Sequence, residues 1–371
     1  MSSLPQPYKA GDVLGGRYEV QGEINRGATA VVYAACDGQS GLRVALKVVA
    51  CGGPKQVPIS VVRREVTLSS SVAHEHLVQL LDVFAQGDAQ LVIVWELVEG
   101  LDLLELLNSQ GGRMPEPMAA FYFVQLLRAV LHVHEAGFCH RDIKPENCMV
   151  EGRTHKLKLI DFGLAKHLES VKTLGVGTPD YMPPEMLVRG TSAARPQPSG
   201  GGGGGEAGGG VREPPPYDAA AVDAWACGVL LYLLISGVYP FEDPGSSSLS
   251  RTIQNVLRGT RRPLPPGVSP ECAARIDGLL QRDPSRRARL HDLAYDPWLL
   301  HQAQIHALQI GLITPAQLLA AGGAAAAAQA AAAAHVQAAA AAAAHAQQAA
   351  AAQAAAWQQQ QQPPAGGAAI H

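Results

Sequence analysis

The chain has 371 residues, enough for two compact domains or for one bilobed unit with tails. Its 29 Lys and Arg residues nearly balance 32 Asp and Glu residues, and the formal net charge of -3 argues against a dedicated nucleic-acid binder. The six cysteines are scattered without a CxxC pair, and the sequence shows neither a secretory signal nor an apolar run that could span a bilayer. We therefore expect a soluble intracellular protein of the cytoplasm, the nucleus or both.

Composition divides the chain into three parts. Residues 1–17 read as a short polar arm, residues 18–300 are patterned, and residues 301–371 form a low-complexity tail rich in Ala and Gln. A Gly- and Pro-rich insertion at about 189–216 interrupts the patterned part, and it cannot bury enough surface to offset the entropy of ordering it. We expect a disordered insertion. The tail is expected to be a spacer or disordered appendage, with a partner-binding helix as the alternative.

The patterned part changes character near residue 99. Short runs typical of β-strands occur at residues 30–33, 44–49 and 91–95. Helix-like segments occur at residues 61–71, 119–136 and 222–234. The predicted fold class is α+β, with a small antiparallel β-sheet lobe carrying one helix over residues 18–98 and a larger α-helical lobe over residues 99–300. A ligand cleft is expected between the lobes.

Five motifs follow one another in this region. They are the turn Ile24–Val32, Lys47 in a Val-Ala-Leu-Lys run, His-Arg-Asp-Ile-Lys-Pro-Glu-Asn at 140–147, Asp-Phe-Gly at 161–163, and the segment 177–185. Each motif alone is weak to moderate, but five in this order are specific, and over about 280 residues the chain resembles the eukaryotic protein kinases. The resemblance implies a bilobed protein-kinase fold and a non-specific serine/threonine protein kinase, which phosphorylates Ser and Thr hydroxyls of proteins in signalling or stress response.

The candidate catalytic residues suit phosphoryl transfer, which requires a neutralised triphosphate and an aimed hydroxyl. Asp142 is expected to accept the hydroxyl proton, and Lys144 to stabilise charge on the γ-phosphate. Lys47 supplies a cation for the inner phosphates, with Glu65 as the carboxylate that orients it. The resemblance also implies that Thr178 hydrogen-bonds Asp142 and Lys144.

ATP and Mg²⁺ are the expected cofactors. Asn147 and Asp161 offer oxygen ligands of the kind that Mg²⁺ prefers. The resemblance implies a nucleotide site formed by Ile24, Gly27, Val32, Ala45, Lys47, Glu96, Val98, Asp102 and Met149. Trp95 falls at the family's gatekeeper position, where its bulk is expected to close the back pocket.

The glycine-rich turn departs from the family pattern. Asn25 and Ala30 stand where the first and third glycines are expected, and only Gly27 remains, which predicts weaker ATP affinity. The departure leaves open a catalytically weak or silent kinase-like scaffold that binds nucleotide. A third reading, a small-molecule phosphotransferase, is disfavoured by the segment 177–185 and by Arg287, which are expected to build a peptide-docking surface.

The C-terminal half of the chain indicates which group of protein kinases the sequence most resembles. Asp223 is expected to hold the catalytic loop, and Glu185 to pair with Arg287. The segments that resemble the second subfamily of plant SNF1-related kinases, inside the calcium/calmodulin-dependent kinase group, are residues 239–244, 252–254 and 269–272.

The expected partners are protein substrates and an upstream activating kinase, with no nucleic acid and no membrane, and the chain is expected to be a monomer. Thr173 is the best candidate for activating phosphorylation, because Arg141 should reach a phosphate there. Glu146 and Asp102 predict a preference for basic residues upstream of the target hydroxyl.

Overall fold

A computed structural model describes residues 7–27, 29–51, 56, 58–87, 89–161, 181–192, 218–243, 245 and 248–320. Within them the predicted α+β arrangement is confirmed, with a sheet-based lobe followed by a helical lobe. No helix in these ranges has both the length and the apolarity needed to cross a bilayer.

The first lobe is built on a six-stranded antiparallel sheet in the order β1-β2-β3-β4-β6-β5. Its strands are β1 (Val13–Leu14), β2 (Tyr18–Arg26), β3 (Ala30–Asp37), β4 (Arg43–Ala50), β5 (Leu80–Gln86) and β6 (Gln90–Glu96). The sheet curls until its edges approach one another, since the ring of Tyr18 on β2 stacks on Phe84 of β5 with centroids 5.6 Å apart. Its concave face encloses a small core that includes Val31, Tyr33 and Leu46. Helix α1 (Ile59–Ser71) matches the predicted helical segment at 61–71 and contacts β5.

The residues before β2 contribute to this lobe. The backbone N–H of Tyr8 donates to the hydroxyl of Tyr33 at 3.1 Å, and the two rings meet edge to face. Leu14 on β1 is fully buried. The packed part of the chain therefore begins before the expected boundary at residue 17, because the sheet offers a curled apolar face that these side chains cover.

Helices dominate the second lobe. They are α2 (Leu103–Ser109), α3 (Glu116–Glu135), α4 (Pro184–Ser192), α5 (Ala219–Ser236), α6 (Leu249–Arg258), α7 (Pro270–Leu279), α8 (Leu290–Ala294) and α9 (Pro297–Gln309). A three-stranded sheet of β7 (Gly100–Asp102), β8 (Cys148–Glu151) and β9 (Leu157–Leu159) faces the first lobe, and one 3₁₀ turn (Pro145–Asn147) precedes β8. Helix α5 forms the centre of the lobe because its sequence is apolar on every side, and it is buried from Ala221 to Ile235.

Helix α9 extends the packed part of the chain at its other end. It lies along α3, where the ring of His306 contacts Phe121 at 5.3 Å and Tyr122 at 6.2 Å between centroids. The boundary expected at residue 300 thus falls inside a helix, because Leu299 and Ala307 are buried on the same element. Residues 193–216 of the predicted insertion and the tail from residue 321 lie outside the described residues.

Candidate active site

Two charged side chains distant in sequence meet where the lobes face each other. Lys47 lies on β4, and its Nζ is 2.9 Å from Oδ1 of Asp161, the second residue after β9. Burial by itself raises the pKa of Asp161, but the Lys47 ammonium outweighs it and holds that pKa below its usual value. The Asp161 carboxylate is therefore charged at neutral pH, and it is held with a left-handed backbone, φ +59°, which costs energy in a residue other than glycine.

The catalytic-loop motif brings three more candidate residues to the same place. Asn147 donates from Nδ2 to the main-chain oxygen of Asp142 at 2.7 Å and to its carboxylate Oδ2 at 3.1 Å. Lys144 lies beside the same carboxylate, with Nζ 3.4 Å from Oδ2. The Asp142 charge also acts on Asp161. Lys47, Asp142, Lys144, Asn147 and Asp161 thus share one cleft.

These side chains provide suitable ligands for a hard divalent cation. Because Asn147 directs its amide nitrogen at Asp142, its amide oxygen is its remaining acceptor group. Together with the charged carboxylate of Asp161, this oxygen forms the type of donor set that Mg²⁺ prefers when it also binds phosphate oxygens.

A buried carboxylate on α5 fixes the start of the catalytic loop. Asp223 has no exposed surface and accepts the backbone N–H groups of His140 at 2.9 Å and Arg141 at 2.7 Å. Arg141 adopts a left-handed backbone, φ +63°, so this loop also stores strain. The two hydrogen bonds hold the residues immediately before Asp142.

The same carboxylate binds a histidine that the sequence analysis placed in no site. Nε2 of His134, near the end of α3, lies 2.7 Å from Oδ2 of Asp223. Burial lowers the pKa of His134, but hydrogen bonds to Asp223 and to Cys139 outweigh burial and raise it to about 9. No local pattern in the sequence indicates this cluster, because its members lie on separate elements.

The face of the sheet above the cleft carries the predicted adenine-pocket residues. Val32 on β3 pairs with Lys47 on β4, and Ala45 on β4 pairs with Trp95 on β6. Trp95 is only 6% exposed and belongs to the main core, so its ring fills the space behind this face. Ile24 lies at an irregularity in the β2–β3 pairing and is half exposed.

The floor of the cleft is the small sheet. Asp102 on β7 pairs directly with Met149 on β8. Oδ1 of Asp102 also caps α2 by accepting the backbone N–H of Glu105 at 2.7 Å, a structural role that the sequence analysis did not foresee.

The segment linking the lobes is braced by a further ion pair. Nζ of Lys158 on β9 lies 2.6 Å from Oε1 of Glu96 at the end of β6, and Gln79 donates its backbone N–H to the same oxygen at 2.9 Å. Val98, two residues after Glu96, is half-buried. Sequence reasoning assigned Glu96 and Val98 to nucleotide binding through their backbones but did not identify Lys158.

Strands β2 and β3 stay paired on both sides of the glycine-rich turn despite its two departures. The backbone N–H of Gly27 donates to Ala30 at 2.9 Å, and Asn25 pairs with Val32. A methyl group on Gly27 would come no nearer than 3.6 Å to the oxygen of Ala30, so the hairpin itself does not require glycine there. Ala30 buries its methyl group in the main core.

Three predicted residues fall outside the described part of the chain. Residues 162–180 contain Thr173 and Thr178. Glu65 lies on α1, but its side chain is not among those described. Their expected roles remain predictions.

The pair predicted between Glu185 and Arg287 forms at the base of the helical lobe. Nη1 and Nη2 of Arg287 donate to the two carboxylate oxygens of Glu185 at 2.9 and 3.2 Å. Arg287 also donates to the main-chain oxygen of Ala221 at 2.6 Å, and its guanidinium lies 5.1 Å from the ring centroid of Trp225. This network ties α4 to α5 beneath the cleft.

Comparison with known proteins agrees with this geometry. The family model described as the protein kinase domain matches residues 18–202 and 206–299. The chain is 31% identical over 306 residues to the serine/threonine-protein kinase SAPK9 of Oryza sativa subsp. japonica, an alignment that covers 81% of this chain and 76% of the relative.

Two further relatives are longer proteins. Identity is 31% over 312 residues with CBL-interacting protein kinase 22 of the same rice, covering 77% of this chain and 62% of the relative. It is 32% over 294 residues with CBL-interacting serine/threonine-protein kinase 5 of Arabidopsis thaliana, covering 77% and 59%. The chain thus spans less than two thirds of the length of these two relatives.

Proposed function

The chain belongs to the protein kinase family, and we propose that it is a serine/threonine protein kinase that transfers the terminal phosphoryl group of ATP to Ser and Thr hydroxyls of proteins. The observation that carries the proposal is the convergence of Lys47, Asp142, Asn147 and Asp161 in one cleft. Phosphoryl transfer depends on positioning and charge neutralisation, and this set supplies both.

In this mechanism each side chain acts on a defined part of the reaction. Lys47 would neutralise the inner phosphates. Asp161 and Asn147 are the residues that would hold Mg²⁺, which would supply positive charge for the outer phosphates. Asp142 orients the acceptor hydroxyl and takes its proton, while Lys144 beside it offsets charge on the transferred group. The hydrogen bond from Asn147 keeps the Asp142 carboxylate in one orientation.

The alternative function is a nucleotide-binding scaffold that is catalytically weak or silent. It is motivated by Asn25 and Ala30, which replace the expected glycines. Asn25 still pairs with Val32, and the N–H of Gly27 still donates to the main-chain oxygen of Ala30. These substitutions therefore weaken the case for an active enzyme only through the approach of the backbone to phosphate.

A single variant separates the two functions. Asp142→Asn is expected to lower phosphorylation of a degenerate Ser/Thr peptide library by about 10²–10⁴-fold while nucleotide binding persists, because only proton transfer and hydroxyl alignment are lost. Asp292→Asn, at a half-exposed carboxylate on α8, is the matched control and should retain activity. A wild-type chain that binds ATP without phosphorylating any library member would support the scaffold instead.

We further propose a preference for basic residues upstream of the target hydroxyl. The support is the carboxylate of Glu146, which lies in the 3₁₀ turn Pro145–Asn147 directly beside the catalytic residues. An Arg or Lys of the substrate would supply a charge-assisted partner. Peptide arrays should show the preference in the wild type and its reduction in Glu146→Gln, and arrays without basic selection would contradict it.

Regulation and organisation are also proposals. We propose a kinase domain over residues 18–300, with packed extensions that begin at Tyr8 and end with α9 at Gln309. We also propose a monomeric state, activity in the cytoplasm or the nucleus, and activation by an upstream kinase at Thr173. Thr173→Ala should then lose the activation that such a kinase produces, and full activity of that variant would remove Thr173 as the switch.

A further inference from the structure

A cluster of three potential metal ligands lies behind the catalytic loop. Nε2 of His134, Sγ of Cys139 and a carboxylate oxygen of Asp223 all lie within 4.8 Å of one another. They come from three elements, namely the end of α3, the segment before His140, and α5. Elsewhere in the described ranges, no other trio of His, Cys, Asp or Glu side chains meets this distance.

The chemistry of the cluster selects the kind of ion. An imidazole nitrogen, a thiolate sulfur and a carboxylate oxygen are the ligands that Zn²⁺ takes in proteins, at about 2.0–2.3 Å each. To bind the ion, His134 releases the proton that its raised pKa retains at neutral pH, and Cys139 releases its thiol proton. A cation at those distances needs donor atoms about 3–4 Å apart, a spacing that small side-chain shifts would provide here. Because a sulfur ligand disfavours Mg²⁺, this cluster is expected to select a different metal ion from the oxygen ligands of Asn147 and Asp161 in the cleft.

The surroundings of the cluster give it both rigidity and access. Asp223 is held on the central buried helix with no exposed surface, and it already accepts two backbone N–H groups. His134 keeps 15% of its side-chain surface exposed, and Cys139 is one of only two half-buried cysteines, the other being Cys36 on β3. An ion can therefore approach from the side of Cys139 and His134.

We propose that His134, Cys139 and Asp223 form an inhibitory site for Zn²⁺. Oδ2 of Asp223 accepts the N–H of His140 and also faces His134, so zinc bound to this oxygen competes with a hydrogen bond that holds the catalytic loop. Displacement of that loop moves Asp142, whereas the strands that carry Val32, Ala45 and Trp95 lie on the other lobe. Zinc should therefore lower kcat with little change in the KM for ATP. The inhibition rests on the proposed kinase activity, but the binding of the metal does not.

Cobalt provides a readout of binding that does not depend on activity. The full-length reduced chain, freed of metal with a chelator, is titrated with Co²⁺, which reports thiolate ligation by a sulfur-to-metal charge-transfer absorption. We expect the band in the wild type and in Cys36→Ser, its loss in Cys139→Ala, and its disappearance when Zn²⁺ is added. A band of equal size in Cys139→Ala, or none in the wild type, would overturn the site.

Kinase assays at constant Mg²⁺ then test the consequence. The Zn²⁺ concentration giving half inhibition should rise by about tenfold or more in Cys139→Ala, because one of three ligands is lost, and should be unchanged in Cys36→Ser. Equal inhibition of wild type and Cys139→Ala would overturn the inhibitory role, since zinc would then act elsewhere. If the metal-free wild type has no activity, the proposed function fails, and the cobalt titration alone decides whether the metal site exists.

Discussion

Replacing Glu185 with glutamine removes the counter-charge of a buried guanidinium. The side chain of Arg287 is 1% exposed and depends on Glu185 for its only negatively charged partner within the described residues. Breaking a buried pair by removing one partner costs about 3–5 kcal/mol, since the remaining charge is left uncompensated. Glu185 is 17% exposed and glutamine still accepts one hydrogen bond, so we expect the low end, about 3 kcal/mol.

The measurement is urea unfolding followed by tryptophan fluorescence. The free energies of unfolding are compared with a common slope of free energy against urea concentration. Asp292→Asn is the matched control, because it breaks an exposed ion pair in which the Asp292 side chain is 50% exposed and the Arg289 side chain 66%. It should lower the free energy of unfolding by no more than about 0.5 kcal/mol. The double variant Glu185→Gln with Arg287→Met should recover part of the loss, since no buried charge remains. If Glu185→Gln loses no more stability than Asp292→Asn, the account of this network is refuted.

Two further predictions concern the core and the response to pH. Trp95→Ala should lower the free energy of unfolding in urea by about 3–5 kcal/mol. It should also open the space behind Ala45 to inhibitors that occupy a back pocket. Unchanged affinity for such inhibitors would contradict the gatekeeper assignment. Burial lowers the pKa of His76 to about 4, and its hydrogen bond to Leu157 offsets burial only in part. The unfolded chain then binds more protons below the usual pKa of 6.5, so stability should fall by about 2 kcal/mol between about pH 7.5 and about pH 5. His76→Gln should flatten this fall in urea titrations at the two pH values, and an equal fall would exclude His76 as its source.

Much of the fold and the set of reacting residues could be predicted from local patterns. Short apolar runs indicate β3, β4 and β6, and the helical segments at 119–136 and 222–234 match α3 and α5 to within three residues. The motif at 140–147 contains most of the cleft residues, because residues that are close in a short loop are also close in space. Side-chain chemistry at these positions is a property of the residue types, so the sequence by itself determined which reaction to expect.

Only the tertiary structure decided which distant residues meet. Cys139 and His134 face Asp223 because α3 and α5 pack together, and His134 lies 89 residues from Asp223 in sequence. Lys158 forms an ion pair with Glu96 between the lobes, and Tyr8 packs on the curled sheet. No sequence motif predicts either contact. A local pattern reflects the few residues around it, whereas these contacts depend on how whole elements pack, and that packing is determined by burial of apolar surface across the entire chain.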